Sequence, residues 1–237
     1  MKLYVNGDSH TAAAEAVNPH AFAEDDSRYG YLRRLPHPDN LAVSWGRRLS
    51  EVIKATFICG AESASSNARI MRTTREWIAQ HPGDLDDVLM IIQWSTWERH
   101  EWLIDGVYYQ VTASGTDDVP ESDAMRYKEF VTNLDWQKAT EQAHDEIWAF
   151  HEELSQQGIR HVFFNGNNHF GKIPESQRRD WGTAYIGPYD PKLTWHSYLI
   201  GRGCDTVSPL SWHFGKEAHS IWSRFMLQYI VSNNMVK

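Results

Sequence analysis

The fold of this chain is indicated by its first residues, Lys2-Leu3-Tyr4-Val5-Asn6-Gly7-Asp8-Ser9-His10-Thr11. Residues 2–6 predict a short buried strand, and Ala12-Ala13-Ala14-Glu15 predicts the start of a helix. A serine between a first strand and a helix is where an α/β enzyme places a nucleophile, because the helix N-terminus offers unpaired N–H groups to a developing oxyanion. The alternative is a polar turn in which Ser9 or Asp8 caps the helix.

Strands and helices alternate along the rest of the chain. Further strands are predicted at 55–59, 87–94 and 161–165, and a short extra hairpin strand at 107–112. Helices are predicted at 38–53, 65–80, 121–157 (broken near Asn133), 190–202 and 214–232. This alternation predicts an α/β fold with a central parallel sheet covered by helices on both faces. Ligands of such sheets bind at the carboxyl ends of the strands, which is where the candidate residues fall.

Composition argues against several classes of function. The formal charge is −8, from 23 Lys and Arg against 31 Asp and Glu, and no basic block is present. Phosphate binding needs clustered cations, so nucleic acid is not the expected partner. No apolar run approaches the length that spans a membrane, and the N-terminus has no cationic and apolar leader. We therefore expect no membrane association and a cytoplasmic location, or a place in a virion if the chain is encoded by a phage.

Residues that would hold a metal are sparse. The two cysteines, Cys59 and Cys204, form no disulfide framework, and no HExxH or CxxC motif is present. His144 and His151 lie two turns apart on a predicted helix, which is wider than the usual spacing of metal ligands. We predict no metal site and no cofactor. The 11 Trp and 10 Tyr residues serve the core, or hold sugars and flat apolar ligands at a surface.

The C-terminal part carries a second motif, Ser211-Trp212-His213-Phe214-Gly215-Lys216-Glu217-Ala218-His219, which enters the last helix. With Gly-Asp-Ser after the first strand, this pattern resembles the SGNH (GDSL-like) hydrolases. The resemblance makes Ser9 the nucleophile and His213 the catalytic base, and it places Ala218-His219 at the Gly-His position of the family, packed into or capping the last helix. It extends over most of the chain, but only the two ends are specific.

The fold that this resemblance implies is a three-layer α/β/α sandwich with a central parallel sheet, of the flavodoxin-like type. Residues 1–237 would form one domain of this kind, with an insertion of an extra strand and helices around 103–157. The Ser9 hydroxyl and His213 Nε2 would lie about 2.6–3.2 Å apart, or somewhat farther without ligand.

The family's oxyanion hole is only partly matched. Gly60, at the exit of the second strand, stands where the family has a glycine whose N–H faces the substrate; the alternative is a glycine that merely turns the chain. At the exit of the third strand the family has Gly-x-Asn-Asp, whereas this chain has Gln93-Trp94-Ser95-Thr96-Trp97-Glu98-Arg99. The replacement donors that we consider are the hydroxyls of Ser95 and Thr96 and the amide of Gln93.

Two further positions are candidates for substrate contacts. Arg99 would bind an anion or a sugar, or else form a salt bridge with Glu98 or Glu101. Asn165 begins the segment Asn165-Gly166-Asn167-Asn168-His169 after the fourth strand, which is either a recognition loop or a turn with left-handed residues.

The family's catalytic acid is missing, because Leu210 stands three residues before His213, where the family has Asp. His213 needs an acceptor at Nδ1 to hold its tautomer. We expect the backbone carbonyl of Leu210 to serve, with Asp205 as the competing candidate and Asp190 as a more distant one.

Two functions follow from these residues. The first is a serine esterase acting on a small ester or on an O-acetyl group of a carbohydrate, with the N–H groups of Ser9 and Gly60 holding the oxyanion. The second is a non-catalytic carbohydrate-binding or structural module, such as a virion or tail component, on a degenerate fold. The missing Asn and Asp favour the second, and short members of the family without a leader also occur among bacteriophage proteins.

Overall fold

A parallel sheet of four strands organises this fold. The computed structural model describes residues 1–23, 35–113 and 119–236. The strands and α-helices in chain order are β1 (Lys2–Asn6), α1 (Pro38–Ala42), α2 (Trp45–Val52), β2 (Thr56–Cys59), α3 (Asn67–Gln80), β3 (Val88–Trp94), β4 (His100–Ile104), β5 (Val107–Val111), α4 (Ala124–Thr132), α5 (Trp136–Gln156), β6 (Arg160–Asn165), α6 (Trp195–Gly201) and α7 (Lys216–Ser232). The four strands that the sequence predicts for the sheet are confirmed, and all of their pairings are parallel.

The order of the strands is β2-β1-β3-β6. Strand β1 lies between β2 and β3, so that Lys2 is paired with Thr56 on one side and with Val88 on the other. The chain thus leaves β1 toward one edge and later returns to fill the other. The carboxyl ends of β1 and β3 therefore flank the point where the winding reverses, which is where open α/β sheets bind ligands.

Helices cover the sheet on both faces and give the predicted three-layer α/β/α sandwich. Side chains alternate along each strand, so that Tyr4 of β1 faces one layer while Leu3 and Val5 face the other. The first layer is made by α3 and α5, through buried residues such as Ile70 and Phe150. The second is made by α2, α6 and α7, and its buried aromatic residues include Trp45, Trp195 and Trp222. Many of the Trp residues thus serve the core.

The helix that we expected to begin at Ala12 is wrong. Residues 8–19 form a series of turns and bends, in which Ala13 and Glu15 have left-handed φ angles of 57° and 62°. A left-handed residue breaks a right-handed helix, since Cβ meets the following carbonyl at a cost of about 1–2 kcal/mol. The segment after Ser9 therefore supplies no helix dipole.

The other helices follow the prediction with local breaks. The stretch 38–53 is divided into α1 and α2 at Ser44, whose hydroxyl accepts a hydrogen bond of 3.2 Å from the Arg47 N–H. The expected break near Asn133 separates α4 from α5. The stretch 190–202 begins with a 3₁₀ turn at Pro191–Leu193 and continues as α6.

An antiparallel hairpin of β4 and β5 follows β3, and only its second strand was predicted. The hairpin is attached to α3 at two points. The side-chain oxygen of Gln110 accepts a hydrogen bond of 2.9 Å from the Ser66 N–H, and Arg72 pairs with Glu101 at 2.7 Å. Because residues 95–99 connect β3 to this hairpin, the attachment holds the exit of β3 in place.

Within the described ranges, no helix is long and apolar enough to span a membrane. No three His, Cys, Asp or Glu side chains of these residues lie together in a way that could hold a metal. Cys59 and Cys204 are both free thiols.

Candidate active site

A cleft of about 770 Å³ opens at the carboxyl edge of the sheet. Each strand contributes a residue of its exit loop to the lining, from Ser63 after β2 and Ser9 after β1 to Thr96 after β3 and Asn167 after β6. The segment before α7 closes the cleft with Ser208, Leu210 and Ser211-Trp212-His213. The two ends of the chain that carry the sequence motifs therefore meet here.

His213 is held by a carboxylate. Its Nδ1 lies 2.6 Å from Oε2 of Glu15, which also accepts a hydrogen bond of 2.6 Å from the Ser211 hydroxyl. The His213 N–H donates in turn to Ser211 Oγ at 3.0 Å. A carboxylate at Nδ1 fixes the proton there and leaves Nε2 with its lone pair, which is the tautomer that a general base needs.

Glu15 is ionised in this arrangement. Partial burial acts to raise its pKa, but the hydrogen bonds from Ser211 and His213 outweigh that effect and hold the pKa below its usual value. The carboxylate is thus available as an acceptor at neutral pH.

The acceptors that we expected at His213 are wrong. Neither the Leu210 carbonyl nor Asp205 takes the Nδ1 proton, because Glu15 occupies that position. Asp205 is exposed and is not part of the cleft lining, and Asp190 caps the 3₁₀ turn at Pro191–Leu193. The left-handed φ of Glu15, at 62°, belongs to the turn that carries its side chain to His213.

The loop that carries His213 is closed at its base. Thr206 and Phe214 form an antiparallel bridge, and the Val207 N–H donates to the His213 carbonyl at 2.9 Å. The residues between them extend outward, and Leu210 and Trp212 are 96% and 64% exposed.

Ser9 is 7% exposed and lines the same cleft as His213. The expected hydrogen bond between Ser9 Oγ and His213 Nε2 is not formed, and the Ser9 hydroxyl bonds to no described residue. Its neighbour His10 is buried, with its ring centroid 5.6 Å from that of His213 in an edge-to-face contact. Burial lowers the pKa of His10 to about 4, so this ring is neutral beside His213.

Three of the expected oxyanion or substrate contacts instead hold Asp8. Gln93 Nε2 donates to Asp8 Oδ1 at 2.7 Å, while Ser95 Oγ and Arg99 Nη1 donate to Oδ2 at 2.8 and 3.1 Å. The oxygen of the same Gln93 amide, Oε1, accepts hydrogen bonds from the Thr11 N–H at 3.1 Å and from the Thr11 hydroxyl at 2.8 Å. Gln93 and Ser95 are therefore occupied in fixing the turn around Ser9, and the assignment of these two as oxyanion donors is wrong.

Asp8 is almost completely buried as a carboxylate. Burial alone would raise the pKa of Asp8, but the charge of Arg99 and the hydrogen bonds from the His10 N–H and Gln93 lower it overall. Arg99 forms its ion pair with Asp8 rather than with Glu98 or Glu101, which was the alternative considered from the sequence.

The role expected for Gly60 is also wrong. Its N–H donates to the Val5 carbonyl at 2.8 Å and so extends the pairing of β1 with β2. Gly60 belongs to the lining of a different cavity, where an added Cβ would lie 2.6 Å from the Tyr4 hydroxyl oxygen. The close approach of Tyr4 explains the glycine.

Besides Ser9, the cleft lining contains two fully buried hydroxyls without a partner among the described residues. Thr96 Oγ1 and Ser63 Oγ are buried and bond to no described residue, although both residues line the cleft. Thr96 is therefore the one of the three proposed side-chain donors at the exit of β3 that is not already occupied.

Asn165 does not line the cleft, because its Oδ1 accepts a hydrogen bond of 2.5 Å from the buried Tyr185 hydroxyl. Asn167 and Asn168 of the same loop line the cleft instead. The sequence thus identified the segment but the wrong asparagine.

His219 lies in the core, as predicted. It is buried on α7, and its Nδ1 accepts a hydrogen bond of 3.2 Å from the Trp45 N–H at the start of α2. This bond joins α7 to α2, and neither His219 nor Trp45 belongs to the cleft lining.

A family model matches residues 24–162, which is more than half of the chain, under the description "Family of unknown function (DUF6071)". The chain belongs to DUF6071. The matched range includes the exit loops of β2 and β3, whereas Ser9, Glu15 and His213 lie outside it. No curated protein matches this sequence.

Solved structures resemble this DUF6071 member over almost its full length. A protein assigned to the lipolytic G-D-S-L family from Desulfitobacterium hafniense DCB-2 is 12% identical, with a TM-score of 0.50 and coverage of 96% of this chain and 98% of that one. The esterase EstA of Pseudoalteromonas sp. is 12% identical, with a TM-score of 0.46 and coverage of 98% and 97%. The acetyl xylan esterase Est2A of Butyrivibrio proteoclasticus is 11% identical, with a TM-score of 0.48 and coverage of 98% and 64%. At 12% identity the first of these likenesses establishes the fold alone.

Proposed function

We propose that this DUF6071 member is a serine ester hydrolase in which Ser9, His213 and Glu15 act together. The observation that carries the proposal is the hydrogen bond of 2.6 Å between Glu15 Oε2 and His213 Nδ1, in the cleft that Ser9 also lines. A carboxylate–imidazole pair with a purely structural role would need no nucleophile beside it, whereas this pair lines the same cleft as Ser9, whose hydroxyl bonds to no described residue.

In the proposed reaction the Ser9 oxygen attacks the acyl carbon of the ester while His213 Nε2 takes the serine proton. The imidazolium so formed is stabilised by the Glu15 carboxylate. Collapse of the tetrahedral intermediate breaks the bond to the alcohol, which leaves with the proton from His213. Water, deprotonated by the same nitrogen, then releases the acid and restores Ser9.

The oxyanion donors in this proposal are the Ser9 N–H and the Thr96 hydroxyl. The support for Thr96 is that its hydroxyl is unpaired in the cleft, while Gln93 and Ser95 are bonded to Asp8. One such donor is typically worth about 3–4 kcal/mol of transition-state stabilisation.

The substrate in this proposal is a small ester or an acylated carbohydrate. The cleft is large enough for a sugar unit beside the acyl group, and Trp212 offers an exposed aromatic face at its mouth.

The test uses a fluorophosphonate probe and p-nitrophenyl acetate with the wild type and two serine variants. We expect labelling and turnover in the wild type, and loss of both in Ser9→Ala. Ser155→Ala, an exposed serine on α5, is the matched control and retains both. Labelling that persists in Ser9→Ala would refute the proposed nucleophile.

A non-catalytic binding or structural module is the second candidate. The observation in its favour is that Ser9 and His213 are not hydrogen bonded, although catalytic hydrogen bonds are often long without substrate. A folded wild-type protein that neither takes up the probe nor hydrolyses the ester would favour this second function.

A further inference from the structure

The cleft collects most of the unpaired polar atoms of the described residues. Among the described residues, eleven buried side-chain nitrogen and oxygen atoms have no hydrogen-bond partner, and six of them belong to residues that line the cleft. Four of the other five are indole nitrogens of Trp residues. The six are His10 Nδ1, Ser63 Oγ, Thr96 Oγ1, Glu98 Oε2, Arg99 Nε and Asn167 Oδ1.

Unpaired atoms of this kind are costly. Each buried donor or acceptor without a partner costs about 1–3 kcal/mol, and folded proteins leave few of them unpaired. Ser63 and His10 line the cleft but are only 7% and 4% exposed, so solvent reaches little of their side chains. A concentration of such atoms in one cleft indicates a ligand that supplies the missing partners.

The sheet places these atoms on both sides of Ser9. Trp94 and Asn165 are paired across β3 and β6, and Thr96 and Asn167 each follow two residues later. The strand order puts these two exits on one side of β1, with Glu98 just beyond Thr96, and puts Ser63 on the other side.

The chemistry of two of these atoms is restrictive. A carboxylate oxygen of Glu98 and an amide oxygen of Asn167 only accept hydrogen bonds. An ester group and an apolar acyl chain carry no donors, so the donors must come from elsewhere in the substrate. Free hydroxyl groups on the alcohol part would satisfy both atoms.

We propose that Glu98 and Asn167 determine the specificity of this site for esters whose alcohol is a polyol, by accepting hydrogen bonds from its free hydroxyl groups. This inference rests on the proposed function, since it assigns the alcohol part of the same substrate. The exposed side chain of Trp212 at the mouth of the cleft provides an apolar face for the C–H groups of such an alcohol.

The test compares 1-O-acetylglycerol with n-propyl acetate, which have the same acyl group and a three-carbon alcohol but differ by two hydroxyls. We expect the wild type to favour acetylglycerol in kcat/KM by about tenfold or more. Glu98→Leu and Asn167→Leu should each bring this ratio toward one, mainly by raising KM for acetylglycerol. Glu129→Leu, an exposed position on α4 outside the cleft lining, is the matched control and should keep the wild-type ratio.

A wild-type ratio near one, or a ratio that neither cleft variant changes, would overturn the inference while leaving ester hydrolysis intact. A wild type that hydrolyses neither ester would refute the proposed function. The inference is then tested separately, by comparing how tightly the protein binds the two esters. In NMR titrations of Ser9→Ala, tighter binding of acetylglycerol than of propyl acetate, lost when Glu98→Leu is added, supports the inference. Equal or absent binding of both esters contradicts it.

Discussion

At the scale of single residues, Glu15 reaches His213 because the turns after Ser9 are partly left-handed. The nucleophile and the carboxylate of the proposed triad therefore lie only six positions apart, and His213 alone arrives from the distant end of the chain. The carboxylate fixes both the orientation and the tautomer of the imidazole, which a backbone carbonyl would do without stabilising the imidazolium charge.

Glu15→Gln tests this role. The amide keeps the size of the side chain but cannot stabilise an imidazolium, so kcat for ester hydrolysis should fall by about 10³–10⁴-fold, as for loss of a triad acid elsewhere. Asp205→Ala is the control and should leave kcat nearly unchanged, because Asp205 is exposed and lies outside the cleft lining. If steady-state kinetics give a large loss for Asp205→Ala and a small one for Glu15→Gln, the assignment is wrong.

At the scale of elements, Gln93 ties the end of β3 to the turn after β1. One amide group bonds Asp8 through its nitrogen and Thr11 through its oxygen, and Ser95 and Arg99 add two more donors to Asp8. The turn that presents Ser9 is thus held from the neighbouring strand and not by a helix of its own. Its geometry depends on the pairing of β1 with β3.

Gln93→Met should disturb this link with little change in volume. Loss of the partners of the buried Asp8 and Thr11 groups should lower the free energy of unfolding by about 1–3 kcal/mol for each group left unpaired. Urea denaturation measures the change, and kcat should fall as Ser9 loses its fixed position. Gln156→Met, exposed at the end of α5, is the control. Equal stability of the two variants would show that the link contributes nothing.

At the scale of the whole molecule, three buried histidines make the stability sensitive to acid. Burial lowers the pKa of His10 and His161 to about 4 and that of His219 to about 3. In the unfolded chain each histidine has its ordinary pKa of about 6.5. Below that pH the unfolded state therefore binds more protons than the folded state, in which the three rings stay neutral. Stability is therefore full above about pH 6.5 and is lost as the pH falls toward 4.

The free energy of unfolding should decrease by up to about 1.4 kcal/mol per pH unit for each of these histidines between pH 6 and 4.5. Urea denaturation at a series of pH values measures the slope. His161→Gln removes one of the three titrating groups and should therefore reduce the slope by up to about 1.4 kcal/mol per pH unit. A free energy that is constant between pH 7 and 5 would contradict the prediction.

The sequence predicted what depends on local pattern. Each strand of the sheet is a short apolar run, and Val88–Trp94 is buried along its whole length, so its position was recoverable from composition. The strand order and the partner of His213 were not, because they depend on contacts between distant residues. Ala12-Ala13-Ala14-Glu15 favours a helix by propensity, and nothing in those side chains signals the left-handed residues that the structure contains.

The closed base of the loop that carries His213 has a consequence for engineering. Since Thr206 and Phe214 are bridged, and Val207 is bonded to the His213 carbonyl, residues 208–210 can change without moving the histidine, provided that Ser211 keeps its bonds to Glu15 and to the His213 N–H. Because the carboxylate comes from Glu15, the residue at position 210 has no catalytic role in the proposed mechanism. Libraries that replace residues 208–210 and Trp212 but keep Ser211, whose hydroxyl is bonded to Glu15 and His213, would therefore vary the mouth of the cleft, and new substrate preferences could be selected there on an unchanged set of reacting groups.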